Sequence, residues 1–413
     1  VLGGLELSLP TCDRILGFHS LRSSSFRKRR SDISPAAPSH FAAKSEENAD
    51  TADTTAVDMS QPTQIAVIGA GIFVKSQYIP RLAEISDHVL LRAIWSRSEV
   101  SARSAVELAR AHFPDVECKW GESGLDEIIS DGSIAAVAIV LPGQAQVDVS
   151  LKLIESGKHI LQEKPAASSV PEAEVALSCY KSLSAHLPFV PIWAVAENYR
   201  FEPAFVEGRK MVAGLGSMLN IHVIVEGSMD SSNPYFWSSW RRNLTGGFVL
   251  DMGVHFIAGL RMLAGCEVAS VAAMTSHVDT SLPPPDTISS MFQLENGCTG
   301  VFAMVVSTRS PKIFWRVACL KGTLQIERGI ENGRHGYLVS LHEADGQSKS
   351  SFYSFSGVTE ELKIFARDAS KIDGNCGADS RSSYVEGARD IAVLEAMLQS
   401  GSKQGAPVLV KKF

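Results

Sequence analysis

The stretch Ile65-Ala66-Val67-Ile68-Gly69-Ala70-Gly71 decides the fold, because it joins a continuous apolar run to a glycine-rich turn. Apolar runs of this length are typical of strands buried on both faces of a parallel sheet. Gly69 permits a tight turn, and Gly71 lets the backbone approach a pyrophosphate at the N-terminus of the next helix. The sequence therefore predicts a dinucleotide-binding turn that also includes Ile72 and Phe73. Val74 stands where such turns usually have a third glycine.

Further apolar runs follow this turn, with helical patterns between them. The predicted strands are 65–69, 89–95, 134–141 and 158–162, and the predicted helices are 75–86, 99–112, 125–130 and 144–156. Alternation of this kind is the signature of a doubly wound parallel sheet with right-handed crossovers. We predict that residues 62–190 form a Rossmann NAD(P)-binding domain.

The end of the second predicted strand bears on the identity of the nucleotide. The sequence there is Trp95-Ser96-Arg97-Ser98, without a carboxylate. An NAD site usually has Asp or Glu here to bind the ribose 2′-hydroxyl. A guanidinium beside a hydroxyl instead suits a 2′-phosphate, through charge-assisted and bidentate hydrogen bonds. We therefore expect Ser96 and Arg97 to bind NADP rather than NAD; the alternative is that Arg97 is an ordinary solvated charge.

Beyond Met218 the apolar period changes from helical to two, which predicts antiparallel strands. These strands are expected at 218–227, 267–276, 287–296, 298–307, 313–326 and 336–342, followed by a helix from Tyr384 to Gln399. We predict that residues 191–413 form a C-terminal α+β domain with a large, mostly antiparallel open sheet, for substrate binding and oligomerisation. The fold class is thus α/β, with an N-terminal Rossmann dinucleotide-binding domain plus this second domain.

An open sheet with an apolar outer face invites pairing with a second copy of the chain. We therefore expect a homodimer that forms through the C-terminal sheet. The candidate interface residues are Phe302, Met304, Val306, Phe314 and Trp315. The alternative is that these side chains face the helices of their own chain.

The first sixty residues differ in composition from the rest of the chain. Ser, Ala, Pro and Thr are frequent, with a basic cluster at 27–30 and an acidic stretch from 46 to 58. Weak apolar periodicity predicts a disordered or transit-like extension over residues 1–60. We favour a cytoplasmic protein with Met59 as a usable start, and a plastid location is the alternative if residues 1–58 are a transit segment.

Composition narrows the possible functions. The 413 residues are 45% hydrophobic and 20% charged, which is typical of a globular enzyme. The formal net charge of −6 argues against binding to nucleic acid or to an anionic membrane, and no apolar run has the length of a membrane span. The seven cysteines are scattered without a Cys-x-x-Cys pair, so we expect no metal site.

Two later motifs contain residues able to move protons. Lys164 lies in Glu163-Lys164-Pro165, directly after a predicted strand, and Asp251 and His255 are four residues apart in a predicted helix. This spacing places both side chains on one helix face. For the helix alone, the alternative is that Asp251 stabilises its first turn and that His255 is a satisfied interior histidine. Together with the lysine motif, the pair predicts a catalytic site.

In this order the motifs resemble those of the Gfo/Idh/MocA family, named after glucose–fructose oxidoreductase, inositol dehydrogenase and a rhizopine catabolism protein. The resemblance runs from about Gln64 to the C-terminus. It rests on Glu163-Lys164-Pro165, on Gly246-Gly247 followed by Asp251 and His255, on Tyr199-Arg200-Phe201 and on Trp240-Arg241.

One family motif is altered in this chain. Members commonly have Thr-Pro-Asn after the fourth strand and a His three residues later. Here the sequence is Leu141-Pro142-Gly143-Gln144-Ala145-Gln146, so Gly143 and Gln146 replace Asn and His. We expect rearranged contacts near the nicotinamide ribose, with Leu141, Pro142 and Gln146 binding the cofactor beside Glu163 and Lys164.

The resemblance implies an NAD(P)-dependent oxidoreductase that interconverts an alcohol and a carbonyl by hydride transfer. We expect NADP(H) as cofactor and a small polyol, sugar-derived or dihydrodiol-like substrate. In the oxidation direction His255 accepts the hydroxyl proton, Asp251 orients the imidazole and Lys164 hydrogen-bonds the substrate oxygen. Lys164 remains an alternative proton acceptor. The candidate substrate-binding residues are Tyr199, Trp240 and Arg241, and the alternative function is a sensor or regulator of the same fold without turnover.

Overall fold

The structure is a computed structural model that describes residues 61–370 and 378–413. The extension predicted for residues 1–60 lies outside the described residues. Within them, the first sheet has six parallel strands in the order β3-β2-β1-β4-β5-β6. The strands are β1 (Thr63–Ile68), β2 (Val89–Ser96), β3 (Glu117–Trp120), β4 (Ala136–Ile139), β5 (His159–Glu163) and β6 (Trp193–Ala196). The strand order reverses between β1 and β4, as in other doubly wound folds.

Two strands of the first sheet differ from the sequence prediction. The edge strand β3 was not predicted, because its four residues include charged Glu117 and Lys119 and are only partly buried. Strand β6 pairs with β5 and therefore extends the Rossmann sheet past residue 190. The sheet thus includes a segment that the sequence analysis assigned to the C-terminal domain.

Helices cover the first sheet. They are α1 (Ile79–Glu84), α2 (Glu99–Ala109), α3 (Gly121–Ser130), α4 (Gly143–Glu155) and α5 (Val170–Ser184). A π-helical turn, Val74–Tyr78, precedes α1. Pro80 has no backbone N–H to donate to the Ser76 carbonyl, which accounts for the widened turn. Ser98 and Ser169 cap α2 and α5 by accepting hydrogen bonds from backbone N–H groups three residues ahead.

The second sheet has nine strands among the described residues, in the order β14-β13-β12-β11-β7-β10-β9-β8-β15. They are β7 (Met218–Ser228), β8 (Val268–Ser276), β9 (Thr287–Leu294), β10 (Thr299–Val305), β11 (Ser307–Cys319), β12 (Gly322–Glu331), β13 (Arg334–Glu343), β14 (Ser348–Ser354) and β15 (Val408–Leu409). Apart from the parallel pair β7–β10, neighbouring strands are antiparallel. The large, mostly antiparallel sheet is therefore confirmed.

The helices of the second half are α6 (Pro203–Gly214), α7 (Ser239–Arg242), α8 (Gly247–Ala264), α9 (Gly357–Ala369) and α10 (Tyr384–Ser402). Helix α8 is long and apolar enough to cross a membrane, but 78% of it is buried inside the protein. Its glycines allow this close packing, since a Cβ on Gly253 would lie 2.9 Å from Leu394 and one on Gly259 would lie 2.7 Å from Phe205. Helix α8 is thus the central core helix of the second half.

Four of the five residues predicted to form the dimer interface lie on the inner face of the second sheet. Phe302, Met304, Val306 and Trp315 are fully buried in the chain's own core. Strand alternation places their neighbours on the opposite face, where Phe314 and Ile224 are paired across β11 and β7. This outer face also carries Met274, Met291, Val301, Ala303 and Val305, none of which is fully buried.

Helix α9 returns from the second half of the chain to the first sheet. Its residues Leu362, Phe365, Ala366 and Ala369 belong to the same buried cluster as β1 and β2. The Thr63 hydroxyl on β1 donates a hydrogen bond to the Ala366 carbonyl at 3.1 Å. The first lobe is therefore assembled from residues of both halves of the described chain.

Candidate active site

The carboxyl ends of β1, β2, β4 and β5 lie at one edge of the first sheet, where α/β folds bind their ligands. Gly69 and Gly71 follow β1 there. Gly69 has φ +131°, and a Cβ on it would lie 2.2 Å from the Val140 carbonyl oxygen. A Cβ on Gly71 would meet nothing within 4 Å, and Ile72 beside it is half exposed. The turn therefore leaves open space at the start of the helix, as a dinucleotide pyrophosphate requires.

Ser96 and Arg97 lie at the neighbouring end of β2, as predicted. Ser96 is partly buried, whereas Arg97 and Ser98 are exposed. Phe73, from the first turn, packs partly buried against Tyr78. This part of the edge fits the adenosine half of a dinucleotide, with Ser96, Arg97 and Ser98 able to hold a ribose or its phosphate.

Gln146 does not line the open edge. It is fully buried on α4, and its amide Nε2 donates to the carbonyls of Glu163 at 2.8 Å and Pro165 at 3.3 Å. These two residues flank Lys164. Gln146 thus supports the lysine segment from beneath, while Leu141 and Pro142, both partly exposed, lie at the open edge before α4.

Glu163 also faces the interior and not the cleft. Its Oε1 accepts a hydrogen bond from the Tyr78 hydroxyl at 2.9 Å. Burial raises the pKa of Glu163 to about 7, against the opposing effects of Lys164 and of the Tyr78 hydrogen bond. The side chain is therefore placed to influence the charge around Lys164 without touching a ligand at the edge.

Lys164 joins the two motifs that the sequence analysis singled out. Its ammonium donates to the Asp251 carbonyl at 2.8 Å and to Asp251 Oδ1 at 3.1 Å. Arg241 Nε donates to the other carboxylate oxygen, Oδ2, at 2.8 Å. Burial alone would raise the pKa of Asp251, but Lys164 and Arg241 together lower it below its usual value. Asp251 is therefore a buried carboxylate held between two cations.

The expected contact between Asp251 and His255 is replaced by another. His255 Nδ1 lies 2.7 Å from Oε1 of Glu197, a buried residue just after β6. Both oxygens of Asp251 are engaged by Lys164 and Arg241, so the carboxylate that orients the imidazole is Glu197. Helical spacing places Asp251 and His255 on one face of α8, as predicted. Asp251 nevertheless pairs with the cations Lys164 and Arg241, which come from other elements.

Glu197 is charged in spite of its burial. Desolvation raises its pKa, but the attraction and hydrogen bond of His255, with contributions from Arg200 and Lys164, bring the pKa below the usual value. Both His255 and Lys164 therefore act electrostatically on one carboxylate. Lys164 also hydrogen-bonds Asp251, one helical turn before His255, so the amine after β5 and the imidazole on α8 belong to the same site.

The candidate substrate residues have different surroundings. Tyr199 is 7% exposed, stacks on the His255 ring at 4.9 Å and packs against Phe205 and Trp315, so it fixes the imidazole and does not line the cleft. The Arg241 guanidinium lies over the Trp240 ring at 4.2 Å. Trp240 is partly exposed and remains available to a ligand.

This arrangement can manage a proton beside a hydride acceptor. An ammonium has three N–H donors, and Asp251 accepts from two of those of Lys164, which leaves one for a substrate oxygen. When Nδ1–H of neutral His255 donates to Glu197, the lone pair of Nε2 is available as a base. Among residues 61–370 and 378–413, no group of three His, Cys, Asp or Glu side chains is placed to hold a metal.

Comparison with known proteins places this site in a family. Residues 63–187 match the model described as "Oxidoreductase family, NAD-binding Rossmann fold", and residues 210–325 match the GFO/IDH/MocA C-terminal domain. The chain is 32% identical to dehydrogenase FPY6 of Fusarium mangiferae, over 84% of this chain and 99% of that protein. The chain therefore belongs to the Gfo/Idh/MocA family of NAD(P)-dependent oxidoreductases.

Solved structures agree on the fold. An inositol dehydrogenase homologue from Azotobacter vinelandii, complexed with NAD⁺, superposes with a TM-score of 0.71 at 18% identity, covering 85% of this chain and 98% of that one. An aldose-aldose oxidoreductase from Caulobacter crescentus, complexed with glycerol, gives a TM-score of 0.69 at 20% identity, covering 84% and 100%. At these identities the likeness supports the fold alone.

Proposed function

We propose that this oxidoreductase interconverts an alcohol and a carbonyl on a small polyol, sugar-derived or dihydrodiol-like substrate, with NADP(H) as its cofactor. The observation that carries the proposal is the Lys164–Asp251 contact, because it joins the edge of the dinucleotide sheet to the central helix of the other lobe. The substrate class is supported by the family, since relatives of this chain include a scyllo-inositol 2-dehydrogenase and a levoglucosan dehydrogenase.

In the proposed mechanism, Gly69 and Gly71 would hold the dinucleotide at the β1 turn, and hydride transfer is the chemistry that the nicotinamide would supply when bound. The third N–H of Lys164 hydrogen-bonds the substrate oxygen and stabilises alkoxide character as it develops. His255 Nε2 accepts the hydroxyl proton during oxidation, and Glu197 stabilises the resulting imidazolium. Asp251, itself held by Arg241, keeps Lys164 Nζ in place. In the alternative mechanism Lys164 is a neutral amine and accepts the hydroxyl proton itself.

The test is turnover by the purified protein. NADPH would be offered with a panel of carbonyls, and NADP⁺ with polyols and dihydrodiols, while NADPH absorbance is followed. Lys164→Ala should reduce kcat about 10²–10⁴-fold, since both a donor and a positioned charge are lost. His255→Ala and Glu197→Gln should also reduce kcat, whereas the exposed Lys152→Ala should retain wild-type activity. Full activity in Lys164→Ala would refute the mechanism.

The cofactor preference has its own test at Arg97. Its exposed guanidinium lies at the end of β2 among hydroxyls and without a carboxylate in the same turn. Arg97→Ala should weaken NADPH binding by about tenfold or more while NADH binding stays the same, because a charge-assisted hydrogen bond to the 2′-phosphate is lost. Arg103→Ala is the matched control, since that guanidinium pairs with Glu99 on α2. Equal wild-type affinity for NADH and NADPH would overturn the preference.

The alternative function is a nucleotide-binding sensor or regulator without turnover. Intact Lys164, Asp251 and His255 favour the enzyme, because a sensor has no need of groups that move protons. Tight binding of NADPH with no turnover of any panel member would instead favour the sensor.

We further propose a homodimer in the cytoplasm, with a plastid location as the alternative. The outer face of the second sheet supports the dimer, because it presents Ile224, Ala303 and Phe314 in adjacent paired positions. A second copy of the chain would cover this apolar surface by a two-fold contact.

A further inference from the structure

The segment between β7 and α8, residues 229–246, extends from the second sheet toward the cofactor edge of the first; we refer to it as the strap. Gln144 Nε2 on α4 donates a hydrogen bond to the Trp240 carbonyl at 3.0 Å. The Trp240 ring also lies against Gly143, where a Cβ would be 3.5 Å from its Cζ3. The indole therefore packs close to the start of α4.

The strap also approaches the other side of the cofactor-binding edge, where the π-helical turn follows β1. The Tyr235 side chain faces Ser76, in the π-helical turn after the Gly69–Gly71 loop, and Ser76 slightly opposes the burial that raises the pKa of Tyr235. Between the two anchors, the Arg241 guanidinium lies 4.5 Å from the Tyr235 ring and 4.2 Å from the Trp240 ring. Arg241 in turn binds Asp251. The two anchors are therefore connected through one cation to the Lys164 site.

The positions of the anchors determine what the strap covers. Ser76 lies on the element that follows β1, and Gly143 and Gln144 begin the helix that follows β4. These two strands are neighbours in the sheet, and the strand order reverses between them. Dinucleotides bind in the crevice at such a reversal. The strap therefore bridges the two walls of this crevice.

We propose that the strap is a clasp over the bound dinucleotide, so that NAD(P)H leaves only after the contacts of Tyr235 and Trp240 open. The proposal rests on dinucleotide binding and is independent of the substrate and of the NADP preference. Tyr235, Trp240 and Gln144 are accordingly residues that govern cofactor retention. Arg241 stacks on both Tyr235 and Trp240. Opening of the strap should therefore also loosen the hydrogen bond from Arg241 to Asp251.

The test measures cofactor release in the absence of substrate. The full chain would be loaded with whichever of NADH or NADPH binds more tightly, and release would be followed by stopped-flow nicotinamide fluorescence after a chase with excess oxidised cofactor. The double variant Tyr235→Phe/Gln144→Ala removes the hydrogen bond from Gln144 to the strap and the Tyr235 hydroxyl that faces Ser76, and it should release the cofactor roughly tenfold faster. Trp240→Ala should act in the same direction. Hydrogen exchange across residues 229–246 should slow on cofactor binding in the wild type and slow less in the double variant.

Trp237→Ala is the matched control, because Trp237 lies in the same segment and is 73% exposed. It should release the cofactor at the wild-type rate. Release that is unchanged in both the double variant and Trp240→Ala would overturn the clasp, as would equal acceleration by the Trp237 control. Tight cofactor binding without turnover would count against the proposed reaction alone, so the two failures are distinguishable.

Discussion

Two buried glutamates beside Lys164 differ in charge because their partners differ. Glu197 has the His255 imidazole at 2.7 Å, and this contact outweighs burial and lowers its pKa. Glu163 has only a neutral hydroxyl, the backbone N–H of Lys164 and a more distant ammonium, so burial prevails and its pKa rises to about 7. One carboxylate is therefore permanently available to an imidazolium, while the other titrates near neutral pH.

The raised pKa of Glu163 predicts how stability depends on pH. Below its ordinary pKa of 4.5 the carboxyl is protonated in both the folded and the unfolded chain, and its contribution to stability is fully present. As pH rises toward 7 the unfolded chain ionises while the folded one resists, so stability is lost. The Glu163→Gln variant has no ionisable group at this position, so its free energy of unfolding does not decrease in this way. The free energy of unfolding of the wild type, relative to the variant, should fall by about 3 kcal/mol between pH 4.5 and pH 8.

Urea denaturation at a series of pH values measures this difference. The exposed Glu155→Gln is the control and should follow the wild type throughout. A difference between the wild type and Glu163→Gln that stays constant with pH would contradict the assigned pKa.

At the residue scale, the sequence identified Lys164, Asp251 and His255 but paired them incorrectly. Spacing of four within a helix predicts proximity, yet it carries no information about competing partners from other elements. Glu197 was missed because its contact with His255 spans 58 residues. The one available signal was its place directly after an apolar strand that neighbours β5, which puts its carboxylate at the ligand-binding edge.

At the scale of elements, the β1 turn separates a structural glycine from a ligand-binding one. Gly69→Ala should destabilise the protein by about 3 kcal/mol or more, because the new Cβ would meet the Val140 carbonyl at 2.2 Å in a left-handed backbone conformation. Gly71→Ala should change stability by less than about 1 kcal/mol, since its Cβ meets nothing, but it should weaken NADPH binding by filling the space of the pyrophosphate.

Urea denaturation and fluorescence titration with NADPH, applied to both variants, measure the two effects. Unimpaired NADPH binding by Gly71→Ala would show that the open space belongs to something other than the cofactor.

Most strands with buried apolar faces were predicted, and strands at sheet edges were not. The predicted strand 313–326 is wrong, because it runs across the turn that separates β11 from β12, and helices α5 and α9 were not predicted. The continuous runs of β1, β2, β4 and β5 and the alternation of β7 to β10 reflect strong burial. Strands β3 and β14 are edge strands with mostly polar sequences, Glu117–Trp120 and Ser348–Ser354, and they lack that signal. Alternation also predicted which residues of β10 share a face, but it could not predict which face packs against α8.

At the scale of the whole molecule, the proposed dimer predicts an effect of charge on the outer sheet face. Ile224→Asp/Phe314→Asp places two carboxylates at paired positions of that face and should convert the dimer to a monomer, since burying unpaired charge is costly. Val100→Asp is the control, because Val100 is 80% exposed on the other lobe. Sedimentation velocity at micromolar concentration measures the outcome, and a monomeric wild type would refute the dimer.

The return of α9 to the first lobe has a consequence for the design of fragments of this protein. A fragment that stops after β6 would contain the whole parallel sheet but not Leu362, Phe365 and Ala366, which complete its interior. Such a fragment would expose an apolar surface along β1 and α1 and would be prone to aggregate. An excised nucleotide-binding module must therefore carry residues 357–369 with it.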